Sequence, residues 1–244
     1  ALGLTSVEEC EKQPEIAHKV HVEIPNNIAI ICNDLNVKLV HISTDHIFSG
    51  KNRMVFENEV VDPVNIYAKT KYQGELKVQN NCKSALIVRT NFFGWGTKYR
   101  RSFSDFILDA LKSNNEVELF KDVFYTPILI DELASRTHQL IDMDAKGIYN
   151  IVGNERLSKY EFGLKLANLY ELDVNLAKPI NFENKTKLIR RPKDMSLSNR
   201  KLCEVLKCEI PSIDEQMLRL KNQEESKTIA LDQVSVDIIP YGKH

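Results

Sequence analysis

The sequence predicts an α/β protein: a parallel sheet wrapped by crossover helices, followed by a smaller C-terminal lobe. Three observations carry that expectation. Short β-branched runs alternate with helical stretches of roughly 10–15 residues, as in βαβ units. The length of 244 residues suits one large domain, or one with an appendage. Beyond about residue 153 the alternation weakens into a basic turn and short helices, so the expected division is 1–153 for the sheet domain and 154–244 for the lobe and tail, with some chain crossing between them.

The elements follow in order. "EIAHKVHVEIPNNIAIICNDLN" has helical periodicity, with Pro25 expected to kink it or begin a second helix. "VKLVHIST" (37–44) reads as a buried strand, and "SGKNRMVFENEVVDP" as a loop. Asp62 and Pro63 form a candidate helix start, for a helix running to about Asn80. Strand 84–90, the loop "NFFGWG", helix 103–113, strand 116–120, helix 131–143 and strand 147–152 continue the alternation. A further helix covers "LSKYEFGLKLANLY", two short ones lie near 198–207 and 212–224, and the tail "TIALDQVSVDIIPYGKH" alternates as an edge strand would.

Composition excludes several function classes. The 43% hydrophobic and 27% charged content is that of a soluble globular chain. A net charge of -1, without a basic stripe among aromatics, argues against nucleic acid or an anionic membrane as partner. No apolar run reaches the roughly 18 residues needed to span a bilayer. The first residues lack a signal-peptide layout. Cys10, Cys32, Cys82, Cys203 and Cys208 show no CxxC pair or metal spacing, which favours free thiols in a reducing cytoplasm and no bound metal.

Within "VNIYAKTKYQGE", Tyr67 and Lys71 are four residues apart and share one helix face, so both can point at one spot. A phenol titrates near 10, and a neighbouring ammonium favours its phenolate, each tenfold change in that balance being worth about 1.4 kcal/mol. Such a tyrosine can exchange a proton with a carbonyl or alcohol. An ordinary amphipathic helix face is the competing reading. The strand before it ends in Ser43, Thr44 and Asp45, at the carboxyl edge where open α/β sheets bind ligands. His46 follows, but no G-x-S-x-G elbow supports a catalytic triad around it.

Taken together, "VKLVHISTDHIFSG", "FENEVVDPVNIYAKTKYQGE", "ALIVRTNFFGWG" and "RRPKDMSLSNRKL" resemble the extended short-chain dehydrogenase/reductases, most closely the dTDP-4-dehydrorhamnose reductase family. The resemblance runs from residue 1 to about 220 and implies a Rossmann-like doubly wound sheet. It implies reduction of the 4-keto group of a nucleotide-linked deoxysugar in polysaccharide biosynthesis, with NADPH or NADH as hydride donor. Tyr67 would be the general acid, Lys71 would lower its pKa and bind the nicotinamide ribose, and Thr44 would hold the carbonyl oxygen. Ser43 would face the cofactor. Asp45, Asn91, Trp95 and Arg191 would face the sugar nucleotide. For Trp95 a hydrophobic plug, and for Arg190 and Arg191 a solvated turn, compete with the binding role. The resemblance also allows a homodimer.

Two departures qualify it. Family members carry asparagine where this chain has His21, and Pro25 in the same helix is unusual. The glycines at 3, 50, 74, 94, 96, 147, 153, 163 and 242 form no G-x-G-x-x-G turn, so the resemblance enters the fold roughly 60 residues late, at about 30 per βαβ unit. Either the sequence begins inside a longer protein or the protein has lost its nucleotide-binding half; the first is the expectation, because central strands without their neighbours would leave a raw sheet edge. Two other functions remain open. One is a non-catalytic regulatory subunit of the same fold, as in the beta subunit of methionine adenosyltransferase, and the other is a sugar-nucleotide epimerase or dehydratase.

Overall fold

The computed structural model describes residues 3–97 and 101–233, with the side chains of 225–233 left aside. Helices α1 (Val7–Lys12) and α2 (Pro14–His18) lead into a wide π turn at Lys19–Glu23, and α3 (Ile24–Asp34) continues from it. Pro25 has no N–H to offer the His21 carbonyl four residues back. It sits in the first turn of α3, where that loss costs least, so it begins the second helix as expected.

Strand β1 (Val40–Ile42) is three residues long, shorter than the 37–44 expected. A 3-10 turn at Asp45–Ile47 and a loop lead to α4 (Ile66–Asn81). The expected start at Asp62 and Pro63 is corrected here. Asn65 is the cap, its side-chain oxygen accepting the Ala68 N–H at 2.9 Å, while Asp62 lies in the preceding loop.

Along the rest of the chain come β2 (Leu86–Arg89), β3 (Phe92–Phe93), α5 (Phe103–Lys112), β4 (Val117–Phe120), β5 (Phe124–Tyr125), β6 (Ile128–Leu129), α6 (Ile130–Asp142) and β7 (Gly147–Asn150). After them follow β8 (Leu157–Ser158), α7 (Lys159–Leu169), β9 (Ala177–Ile180), α8 (Arg200–Leu206) and α9 (Ile213–Gln233). The tail expected as an edge strand is helical through residue 233, and its remainder lies outside the described residues.

The central sheet is parallel, in the order β1-β2-β7, with Val40 opposite Leu86 and Leu86 opposite Gly147. Side chains alternate across a strand, and β2 shows what each face packs against. Leu86 and Val88 join Leu133 and Leu140 of α6 and Leu202 of α8, while Ile87 joins Ala29 of α3 and Val78 of α4. Helices therefore cover both faces, which makes the sheet doubly wound. A Cβ on Gly74 would overlap the His21 carbonyl oxygen, so glycine lets α4 approach the π turn this closely.

Arg89 and Glu75 form a fully buried ion pair at 2.7 Å, and Arg89 also donates to the Glu57 carbonyl at 3.0 Å. The pair ties the loop before α4 to the sheet. Removing one partner would leave an unpaired buried charge, at a cost of roughly 3–5 kcal/mol.

Strand β4 departs from the expectation of a place in the main sheet. It pairs in parallel with β9, Val117 opposite Ala177, as a separate two-stranded sheet. With α5, α7 and α9 it encloses a second core around Phe162, which touches Phe93, Phe103 and Tyr125. All five cysteines are free thiols. Among the described residues no helix is long and apolar enough to cross a membrane.

Candidate active site

Tyr67 and Lys71 stand on the same face of α4, beside the end of β1. The Lys71 ammonium donates to the Ile42 carbonyl at 2.7 Å, which fixes the helix against the strand at its carboxyl end. Burial lowers the Lys71 pKa, and the Glu75 carboxylate opposes that change. Tyr67 sits edge-on to two imidazoles, with ring centroids 5.7 Å from His21 and 5.5 Å from His46.

Those two histidines open onto different spaces. On one side His21, His41, Tyr67 and Lys71 line a groove of about 290 Å³ together with Val20, Ile28 and strand β1. On the other side His46 lines a cavity of about 340 Å³, walled by Phe103, Phe106, Phe120 and Phe182 and carrying Lys159 and Arg191. Burial drives all three imidazoles toward the neutral form: His21 to about 4, His41 to about 3 and His46 to about 3. Positive neighbours add to this, Lys71 for the first two and Arg191 and Lys159 for His46. His21 places Nδ1 2.8 Å from Thr70 Oγ1. Thr70 also donates to the Ile66 carbonyl, in the turn that carries Tyr67.

The other sequence-predicted residues fall into two sets. Thr44, Asp45 and Asn91 come together. The Thr44 hydroxyl donates to Asp45 Oδ1 at 3.3 Å and accepts the His46 N–H at 3.2 Å, capping the 3-10 turn. Asn91 donates to Asp45 Oδ2 at 2.6 Å. Asp45 is only 1% exposed, and burial pushes its carboxyl pKa upward against the pull of Asn91 and Lys159. The Ser43 hydroxyl is buried with no partner among the described residues. Arg191 lines the cavity and pairs with Glu8, while its Nε is buried without a partner among the described residues.

Trp95 is not brought to either space. Its indole N–H donates to the Leu220 carbonyl at 2.9 Å, and the ring packs on the core around Phe162. Arg190 is exposed and contributes its carbonyl to Asn65 at 2.9 Å. Lys159, which lines the cavity, is a residue that sequence reasoning misses. The one signal for it is the capping box of Ser158 and Glu161, which sets Lys159 in the first turn of α7 beneath the cavity.

Doubly wound α/β topology, with a Tyr-x-x-x-Lys helix against the carboxyl end of a parallel strand, defines the short-chain dehydrogenase/reductase class. Within it the chain belongs to the family of the RmlD substrate binding domain, which matches residues 3–232. A probable low-salt glycan biosynthesis reductase, Agl14, of Haloferax volcanii is 26% identical over 222 residues, covering 89% of this chain and 74% of that protein. The methionine adenosyltransferase 2 subunit beta of Xenopus laevis is 29% identical over 180 residues, covering 71% of this chain and 54% of its own length. The crystal structure of dTDP-4-dehydrorhamnose reductase from Bacillus anthracis, in complex with NADP, superposes with a TM-score of 0.85 at 26% identity, covering 91% of this chain and 78% of that one. This chain thus spans about half of the beta subunit and about three quarters of the two reductases.

Proposed function

We propose that this protein acts in the reduction of the 4-keto group of a nucleotide-linked deoxysugar, with NADPH or NADH as donor. The observation that carries the proposal is the position of Tyr67 between two dissimilar spaces. A two-substrate reaction needs a proton donor where both substrates meet, and Tyr67 contacts a histidine from each side. Support also comes from the similarity to a dTDP-4-dehydrorhamnose reductase solved with NADP.

The groove suits the nicotinamide end of a dinucleotide. Lys71 is there as a ribose ligand, and His41 Nε2, on the groove wall, lacks a partner among the described residues. When bound, the dinucleotide supplies the hydride. Tyr67 donates its phenolic proton to the ketone oxygen as charge develops there, and the Lys71 ammonium stabilises the phenolate left behind. Thr44 holds the ketone oxygen by turning its one O–H from Asp45 Oδ1 toward the substrate, while its oxygen keeps the His46 N–H. Neutral His21 and His46 flank the ring without competing for the proton at neutral pH.

A second reading, a regulatory subunit, draws on the similarity to methionine adenosyltransferase 2 subunit beta. The deciding experiment titrates NADPH and NADH into the protein by fluorescence and then assays the reduction of dTDP-4-dehydrorhamnose. Saturable binding with turnover supports the reductase. Absence of turnover, together with co-purification of a partner enzyme, supports the subunit instead.

A further inference from the structure

The five thiols are not equivalent. Cys10 and Cys82 are buried, each with an oxygen near its sulfur, the Leu4 carbonyl at 3.5 Å and the Ser84 hydroxyl at 3.4 Å. Cys32 is half-buried against the small core that holds Cys82. Cys203 and Cys208 are also half-buried, but they stand at the two ends of one helix cap.

Helix α8 ends on Lys207, a non-glycine residue in the left-handed region at φ 49° and ψ 46°. The Cys208 N–H then reaches back to the Cys203 carbonyl at 3.3 Å. That bond across a left-handed residue is the Schellman motif, whose two end positions bring their side chains into contact. Both of those positions are cysteine here. The electrostatics agree with the contact. Burial raises the Cys203 pKa, and the Cys208 sulfur is close enough to add to the rise, while the Ile210 amide and Arg136 oppose it.

The backbone on either side is fixed. Leu202 and Ile210 are buried in the core against β2, and Arg136 donates to the Glu209 carbonyl at 3.3 Å. A disulfide needs Cα atoms roughly 4.4–6.8 Å apart. A straight helix would carry two residues at this spacing about 7.5 Å along its axis, too far to bridge. The reversal at Lys207 turns Cys208 back toward Cys203 and removes that obstacle.

We propose that Cys203 and Cys208 are a redox modification site, forming a reversible intramolecular disulfide with a small-molecule disulfide as oxidant. The Cys208 thiolate attacks one sulfur of the oxidant, makes a mixed disulfide and expels the other half as a thiolate. The Cys203 thiolate then attacks the Cys208 sulfur and expels the second half. The two protein thiol protons pass to the two departing thiolates, and the two electrons lost by the protein sulfurs reduce the oxidant. Cys203 takes the second step, because its raised pKa leaves little thiolate for an encounter in solution, whereas Cys208 lies beside it. The new bond pins a cap that a left-handed lysine leaves strained.

The test equilibrates the full chain with oxidised and reduced glutathione at graded ratios, followed by alkylation, trypsin digestion, mass spectrometry and a thermal melt. Trypsin cuts after Lys201 and Lys207, so the bond joins peptide 202–207 to peptide 208–219. That cross-link is expected in the folded wild type, reversed by dithiothreitol, with a melting temperature raised by roughly 4–8 °C. Cys203→Ser should leave Cys208 as a glutathione adduct and show no such rise. The mapping uses the wild type, so it stands whether or not the variant folds. A wild type carrying glutathione on Cys208 without the cross-link overturns the proposal. So does a bond that pairs other cysteines, such as Cys32 with Cys82, or a 203–208 bond that forms only in urea. A cross-linked protein that melts below the reduced one overturns the pinning of the cap.

Discussion

The two spaces beside Tyr67 are built from different materials. The groove is walled by a three-residue strand and by aliphatic side chains of α3, with Ile28 and Ile42 both more than 40% exposed. Among the described residues no strand pairs with the outer side of β1, so its backbone forms an open edge. The cavity is closed by aromatic rings and cations from α5, α7, β4 and the turn around Arg191, all anchored to the core around Phe162. The two sides differ in what supports them. The cavity side is fixed by the core around Phe162, whereas the groove side combines an open edge strand with the packing of α3 and α4 on Ile87 and the Lys71 contact to Ile42. Perturbations should therefore separate by side.

The largest effect belongs to the residue shared by both. Tyr67→Phe should lower kcat by roughly 10²–10⁴ while leaving NADPH and dTDP affinities near wild type, since only the proton is lost. Steady-state kinetics combined with binding titrations check this, and substantial residual turnover would break the proposed role of Tyr67.

Lys71→Met should act on the groove alone. Loss of a charged hydrogen-bond donor is worth about 1.5–3 kcal/mol, so NADPH binding should weaken by roughly tenfold or more while dTDP binding stays unchanged. Equal loss on both sides would mean that the two spaces are not independent.

A pH series contrasts the sides through their histidines. The folded-state values of about 4 for His21 and about 3 for His41 and His46 lie below the unfolded value near 6.5. Above about pH 6.5 all three are neutral in both states and add no pH dependence. As pH falls below that, the unfolded chain binds protons first, so stability is lost progressively down to about pH 3. Urea midpoints should fall over this window. His21→Asn should remove its groove-side share of that slope and leave the share from His46.

The smallest effect is expected from Asn65→Ala, which removes the α4 cap at a cost of about 1 kcal/mol. The melting temperature should drop by roughly 2–4 °C for a chain of this size. Because Asn65 also holds the Arg190 carbonyl, dTDP binding on the Arg191 side should suffer more than NADPH binding.

Much of the scaffold is legible in the residues. Periodicity locates α4 to within a few residues, and the Tyr67 to Lys71 spacing places both on one face, because helical geometry is local. The β-branched runs mark β1, β2 and β7 in their alternating order. The Asn65 cap escapes a sequence reading because Asp62 and Pro63 form a plausible start of their own, and only the fold gives the Ala68 amide its acceptor. Trp95 resembles a ligand-side residue in its glycine-flanked loop, but the Leu220 carbonyl on α9 claims its N–H. Lys159 is invisible because its meaning depends on Asp45 and Arg191, which lie far from it along the chain.

What the sequence determined by itself is what arises from neighbouring residues: where helices and strands form, which face of α4 carries the Tyr and Lys, and which family order the motifs follow. What only the tertiary structure decided is partnership. It paired β4 with β9 rather than with the main sheet, set Tyr67 between two neutral histidines, and brought two cations together on an aromatic wall. Strand propensity and helical spacing are properties of a few consecutive residues. The choice of a partner, and the desolvation that moves a titrating group away from its ordinary pKa, depend on segments that only folding brings into contact.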